Sequence, residues 1–302
     1  MLAETLQMLA SHSRSKEKYL VFLAMEAHEA DSDQKAVRLV EKFKDQFRLI
    51  TYTLHHIRQY EQKGKASNVS WCVENLDPIL KEHNIPADNL FLTIQDADSW
   101  VPPIYMDLLE EEILKNHESR HINIYEPPQI YTRNNLEVPM FVRIYDIMHG
   151  YYHLGNLTSF LDLAAPLSNY TLSYQLVKRI GYWDTCADAI GEDFHTFQKA
   201  FWKTNGEIKA KIILAPFNQA NIETGKGYWE NIKARFWQGE RHSQGCADIG
   251  YSMKQLSQNP KMLKGYAMMY FVLETFIVPA VIPWIFISHI YQTYFLSFFM
   301  EL

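Results

Sequence analysis

Cysteine is scarce in this 302-residue sequence: Cys72, Cys186 and Cys246 lie far apart, and no Cys-x-x-Cys pair occurs. An odd, scattered set builds neither a disulfide framework nor a zinc knuckle, and it fits a reducing compartment. Positive charge is not in excess either. With 29 Lys and Arg against 35 Asp and Glu, the net charge is −6, so the chain lacks the basic face of a protein that grips nucleic acid. No nucleic-acid partner is expected. The first twenty residues hold Glu4 and Glu17 and no apolar run of seven; they do not read as a secretory signal peptide, and the N-terminal bulk is expected in the cytosol. Internal repeats and low-complexity segments are missing as well. What remains has the length for one large α/β domain with an attachment, or for two small domains.

Over the first 260 residues, short β-branched or apolar runs alternate with longer amphipathic stretches, as in a parallel α/β sheet. Strands are predicted over 19–24, 47–53, 89–94 and 208–214. Helices are predicted over 34–46, 67–83, 101–117, 139–160, 192–204 and from 228 onward. Composition then changes: residues 266–288 carry one ionisable side chain, Glu274, in a stretch long enough to cross a bilayer. A second apolar run, 294–300, is too short to span. Lys254, Lys261 and Lys264 precede the long run and no Lys or Arg follows it, which orients the preceding residues to the cytosol. The expected organisation is a domain at 1–258 and a membrane anchor at 259–302. A buried core helix pair is the other reading of that tail.

The strand at 89–94 runs into Asp96-Ala97-Asp98. Residues i and i+2 of an extended chain face one side, so both carboxylates emerge together at a strand's C-terminal end, where open α/β sheets place ligands. Their repulsion calls for a hard divalent cation, Mg2+ or Mn2+, with open positions for a diphosphate. Asp-x-Asp alone arises about once by chance in a chain this long, and Asp31-Ser32-Asp33 is another instance; the strand context distinguishes Asp96 and Asp98. Gly191-Glu192-Asp193 lies where a turn meets a helix, which suits acids for electrostatic reasons and equally suits a general base that takes a proton from an acceptor hydroxyl. Arg235, Trp237, Gln238, Arg241 and His242 combine ring faces, an amide and two guanidinium groups. Those groups fit sugar stacking and phosphate binding, or an interfacial amphipathic helix. Gly64-Lys65-Ala66-Ser67-Asn68 fails as a phosphate loop, because Gln59 and Ala66 replace the glycine and the Ser or Thr it requires; Lys65 and Asn68 at a helix start can still hold a nucleotide. His149 and His153, four apart, offer a zinc pair with no evident third ligand.

In this order the four segments 64–68, 96–98, 191–193 and 238–242 resemble a processive-type family 2 glycosyltransferase, the group of GT-A fold that includes cellulose, chitin and hyaluronan synthases. The resemblance covers about residues 19–255. It implies a doubly wound mixed sheet with flanking helices, followed here by a C-terminal transmembrane helix. It implies Asp96 and Asp98 on the metal, Asp193 as base assisted by Glu192, Lys65 and Asn68 lining the nucleotide pocket, and Gln238 and Arg241 on the donor diphosphate or acceptor end. Gly191 stands where the family has Thr, and His242 where it has Trp. The family's first strand and its nucleotide-gripping loop are not visible ahead of residue 10, and Glu26, Asp31 and Asp33 include the candidates for a uridine contact. The implied reaction is inverting, metal-dependent hexosyl transfer from a nucleotide sugar to a hydroxyl acceptor at a membrane. The alternative is an inactive membrane-tethered scaffold or regulatory subunit. The Asn-x-Ser/Thr tripeptides at Asn68, Asn156 and Asn169 are expected to stay unmodified.

Overall fold

The computed structural model describes residues 2–159, 163–186, 191–242 and 246–300. Two compact units result, Met1–Gly239 and Glu240–Leu302. The first opens with α1 (Leu2–Ala10) and α2 (Ser15–Lys18), then β1 (Leu20–Glu26), α3 (Ser32–Phe43) and β2 (Leu49–His55). β1 and β2 pair in parallel, Leu20 opposite Leu49 through Glu26 opposite His55. Leu6, Leu23, Met25, Phe43, Phe47 and Ile50 form one core beneath them.

The chain continues through α4 (Lys65–Glu74), α5 (Leu76–Glu82), β3 (Phe91–Ile94), α6 (Ile104–Lys115), β4 (Asn123–Glu126), β5 (Gln129–Ile130) and α7 (Met140–Leu157). After these come β6 (Tyr170–Ser173), α8 (Tyr174–Ile180), α9 (Glu192–Lys203), β7 (Lys209–Ile212), β8 (Phe217–Asn218) and α10 (Tyr228–His242). The central sheet has the order β3-β6-β4-β7. β6 is antiparallel to β3 and β4, whereas β7 is parallel to β4. The sheet is therefore mixed, and the all-parallel pattern read from the alternation of elements does not hold. A second core under it gathers Val101, Tyr105, Leu109, Tyr125, Ile213 and Phe217.

The single helix predicted over 67–83 is two helices. Pro78 is the cause: it has no N–H for the carbonyl one turn back, so the ladder breaks near Asn75, which ends α4 and precedes α5. β6 passes into α8 without a loop, because Ser173 ends the strand and its hydroxyl accepts from the Leu176 N–H at 3.1 Å.

The second unit consists of α11 (Cys246–Gln258) packed along α12 (Leu263–Met300). Both C-terminal apolar runs lie in α12, one continuous helix of 38 residues that passes through Pro279 and Pro283. Among the described residues no helix is long and apolar enough to cross a membrane, so the expected C-terminal span finds no support there.

Candidate active site

Lys65 is the centre of the site. It opens α4, and its Nζ stands 2.8 Å from Asp96 Oδ1 and 3.4 Å from Glu192 Oε1, while donating to the Ser168 carbonyl. Three separate segments thus converge on one ammonium: the loop after β3, the loop before β6 and the first turn of α9. Burial works against that charge, but Asp96, Glu192 and Asp193 outweigh it and hold the Lys65 pKa above its ordinary value.

The two other acids feel the same crowding. Burial, then Glu192 and Asp96, push the Asp193 carboxyl up to about 8; Lys65 and the Phe194 N–H, which donates to Asp193 Oδ1 at 2.8 Å, pull the other way. Burial and the Asp96 charge also raise Asp98, opposed by Arg133 and Lys65. Asp96, Asp98, Glu192 and Asp193 therefore share one electrostatic neighbourhood. Glu192 and Asp193 lie in the first turn of α9, where a helix N-terminus favours negative charge.

Several groups that fix this cluster carry no motif. The Asp96 N–H donates to Asn169 Oδ1 at 2.9 Å. Asn169, fully buried, donates its Nδ2 to Gln129 Oε1 at 3.1 Å and accepts from Gln129 Nε2 at its backbone carbonyl, and Gln219 Nε2 donates to Ser168 Oγ at 3.0 Å. Arg133 donates to the Asp98 carbonyl, pairs with Glu4 at 2.7 Å and lies 4.6 Å from the centre of the Trp100 ring. Tyr131 is raised by burial and by Asp146, Asp96 and Asp193, which sets it between the acids and the α7–α10 contact.

At that contact Arg235 pairs with Asp146 at 2.7 Å, donates to Gln238 Oε1 at 2.9 Å and lies 4.1 Å from the Tyr145 ring centre. Gln238 is thereby fixed through Arg235. The side chains of Arg241 and His242 lie outside the described residues. Asn68, one turn after Lys65, spends its Nδ2 on the Ala24 carbonyl at 2.8 Å, tying α4 to β1. Glu26 at the end of β1 accepts from His55 at 3.0 Å, and Asp33 accepts from the Tyr52 hydroxyl. His153 bonds Glu126 at 3.0 Å in the core, where burial lowers the imidazole to about 4 and raises the carboxyl. The His149 ring lies 6.4 Å from that of Tyr131, tilted by 30°. Among the described residues no group of three or more His, Cys, Asp or Glu is arranged to hold a metal.

The sequence profile described as "Glycosyl transferase family group 2" matches residues 91–301, more than half of the chain. The chain belongs to that family. It is a glycosyltransferase. No curated protein matches it. In structure the glycosyltransferase is similar to S. aureus TarS 1-349 in complex with UDP-GlcNAc, with a TM-score of 0.50 and 12% identity over 91% of this chain and 76% of that one. A second structure of S. aureus TarS gives 0.47 and 13% over 78% and 36%. At such identity the first likeness speaks for the fold alone: a mixed α/β fold of the GT-A kind.

Proposed function

We propose that this glycosyltransferase moves a hexosyl unit from a UDP-sugar to a hydroxyl of a glycan acceptor, with inversion at the anomeric carbon. One observation carries the reading: Lys65 joins Asp96 to Glu192, and Asp193 responds to both Lys65 and Asp96. Asp193 is the base. It takes the acceptor O–H proton as that oxygen bonds the anomeric carbon, while the bond to the diphosphate breaks and its electron pair leaves with the nucleotide. A carboxyl raised towards neutrality is matched to that task, and a single base opposite the leaving group gives inversion, as in inverting glycosidases. The UDP-GlcNAc named with S. aureus TarS suggests the donor class.

A Mg2+ or Mn2+ ion fits the donor set. Asp96 and Asp98 are mutually repelling hard oxygen ligands, and such ions bind through one or two carboxylates plus substrate phosphates. When bound it supplies positive charge to the departing diphosphate. Lys65 adds a second, fixed positive charge beside Asp96. Glu192 assists by holding Lys65, Asn68 braces the nucleotide side through β1, and Gln238 with Arg241 holds the donor diphosphate or the acceptor end. We further propose that α12 attaches the enzyme to a bilayer, with residues 1–258 facing the cytosol, and that it works as the processive polysaccharide synthases do. The apolar composition of 266–288 supports the attachment.

The deciding experiment measures sugar release from a panel of UDP-sugars by membranes carrying the enzyme, with Mn2+ and with EDTA. Turnover with one donor that EDTA abolishes is expected. No turnover with any UDP-sugar in Mn2+ would sink the proposal, and carbonate-extractable enzyme would remove the bilayer from it.

A further inference from the structure

Helix α7 is turned the wrong way round for a helix in water. Its inward row, Val142, Asp146, His153 and Leu157, is buried and half polar. Its outward side carries Phe141, Ile144, Met148 and Tyr151, of which Phe141 is 63%, Met148 66% and Tyr151 70% exposed. Met140, Tyr145, Ile147 and Tyr152 widen the same band, each at least two-fifths exposed. At 3.6 residues per turn these side chains cover about 160° of the helix without one charge among them, whereas an ordinary surface helix keeps its apolar stripe inside.

Area, composition and spacing say what covers this face. With each side chain about half exposed and worth roughly 150–200 Å2 in full, the band presents on the order of 700 Å2. The largest apolar patch of an ordinary monomer is about 300–600 Å2. Beside the band Arg235 of α10 lies on the Tyr145 ring, and its neighbours Phe236 and Trp237 are largely exposed. Their area brings the surface to the roughly 800 Å2 that each side of a stable interface buries. The composition fits a protein rather than a bilayer. Met, Phe and Tyr dominate while Lys, Asp and Glu are missing from the band, as at the core of a protein interface. A helix lying in a bilayer surface is rich in Lys and Arg, but α7 has no lysine and one arginine, Arg143. The spacing fits a second copy of this chain. The apolar positions are symmetric about Asp146, with 140 mirroring 152, 141 mirroring 151, 144 mirroring 148 and 145 mirroring 147. Two such helices crossing antiparallel about a twofold axis set every apolar side chain against another from the same band, and no charge meets its like.

We propose that the outward face of α7 is the interface of a twofold homodimer, two α7 helices packed antiparallel with Ile144 against the partner subunit's Met148 and Phe141 against the partner subunit's Tyr151. The contact is isologous, so each of these pairs occurs twice. Tyr151, the most exposed ring of the band, is its anchor. On the inward side of the same helix Asp146 pairs with Arg235 and Gly150 presses on Gln129, so the dimer braces the helix against which each active site leans.

Light scattering on the eluting 302-residue chain, in a mild detergent that covers the exposed apolar side chains of α12, tests this without any activity measurement. The wild type should run with the mass of two 35.5 kDa chains. Ile144→Lys and Met148→Glu should each weaken association roughly tenfold or more and run as single chains. An equimolar mixture of the two variants should regain the mass of two chains, because the introduced lysine of one faces the introduced glutamate of the other. Circular dichroism reports whether the variants are folded; if either is not, Tyr151→Ser replaces it, with the same loss of association expected. The proposal is overturned if the wild type is a single chain, including one that floats with phosphatidylcholine–phosphatidylserine vesicles and is released by Phe141→Glu, which would give the face to a bilayer. It is equally overturned if the variants stay paired as firmly as the wild type, which would place the contact elsewhere, or if the two folded variants fail to pair when mixed.

Discussion

Asp193 joins two roles that pull against each other, and its pKa lets them be separated. Because the folded state raises that pKa, the protonated carboxyl is the form the fold favours; this stability is present below the unfolded value near about 4 and is lost as pH rises through about 8. Asp193→Asn should therefore gain stability relative to the wild type between about pH 6 and about pH 9, as read by thermal melts, while sugar transfer falls roughly 10²–10⁴-fold. The wild-type rate should fall as pH drops through the Asp193 pKa. Lys65 is the other half of this arrangement. Lys65→Met removes the cation that lowers Asp193, so the acidic limb of the rate profile should move to higher pH and the KM for UDP-sugar should rise. An unmoved acidic limb would mean that Lys65 does not act on the base.

Helices and strands set the cost of disturbing the site. Arg235 on α10 and Asp146 on α7 are both buried and paired; Arg235→Met strands the carboxylate, which should cost about 3–5 kcal/mol in urea unfolding, and Arg235→Met with Asp146→Leu should recover most of it. Gly150 on α7 presses against β5: a Cβ there would meet the Gln129 carbonyl oxygen at 2.7 Å. Gly150→Ala should destabilise by about 1–3 kcal/mol, and through Gln129 and Asn169 it should slow transfer by displacing Asp96. What the sequence made legible at this scale follows from local signal strength. The runs at 19–24, 47–53, 89–94 and 208–214 are apolar or β-branched and became β1, β2, β3 and β7. β4 and β6 escaped notice because each has four residues and buries polar groups, Asn123, Glu126, Thr171 and Ser173, where a run of hydrophobics would have shown a strand. Asp96, Asp98, Glu192, Asp193 and Lys65 were visible as motifs. Asn169, Ser168, Gln129 and Tyr131 were not, since only the fold brings those loops together.

For the molecule as a whole, packing takes the place of covalent staples. Cys72 is buried with its thiol pushed up by that burial, and Cys186 is exposed; both are free. Reductant should therefore leave the melting temperature within about 1 °C, and a thiol reagent should modify Cys186 well before Cys72, an order readable by peptide mass spectrometry. A shift of several degrees on reduction would contradict a core held by packing alone. The buried amide of Asn169 has one more consequence. It sits in an Asn-Tyr-Thr tripeptide, and its Nδ2 is enclosed between Gln129 and Ser168. A copy diverted into a compartment whose machinery decorates such tripeptides would acquire an oligosaccharide where the fold admits no atom, and quality control would retain it as misfolded.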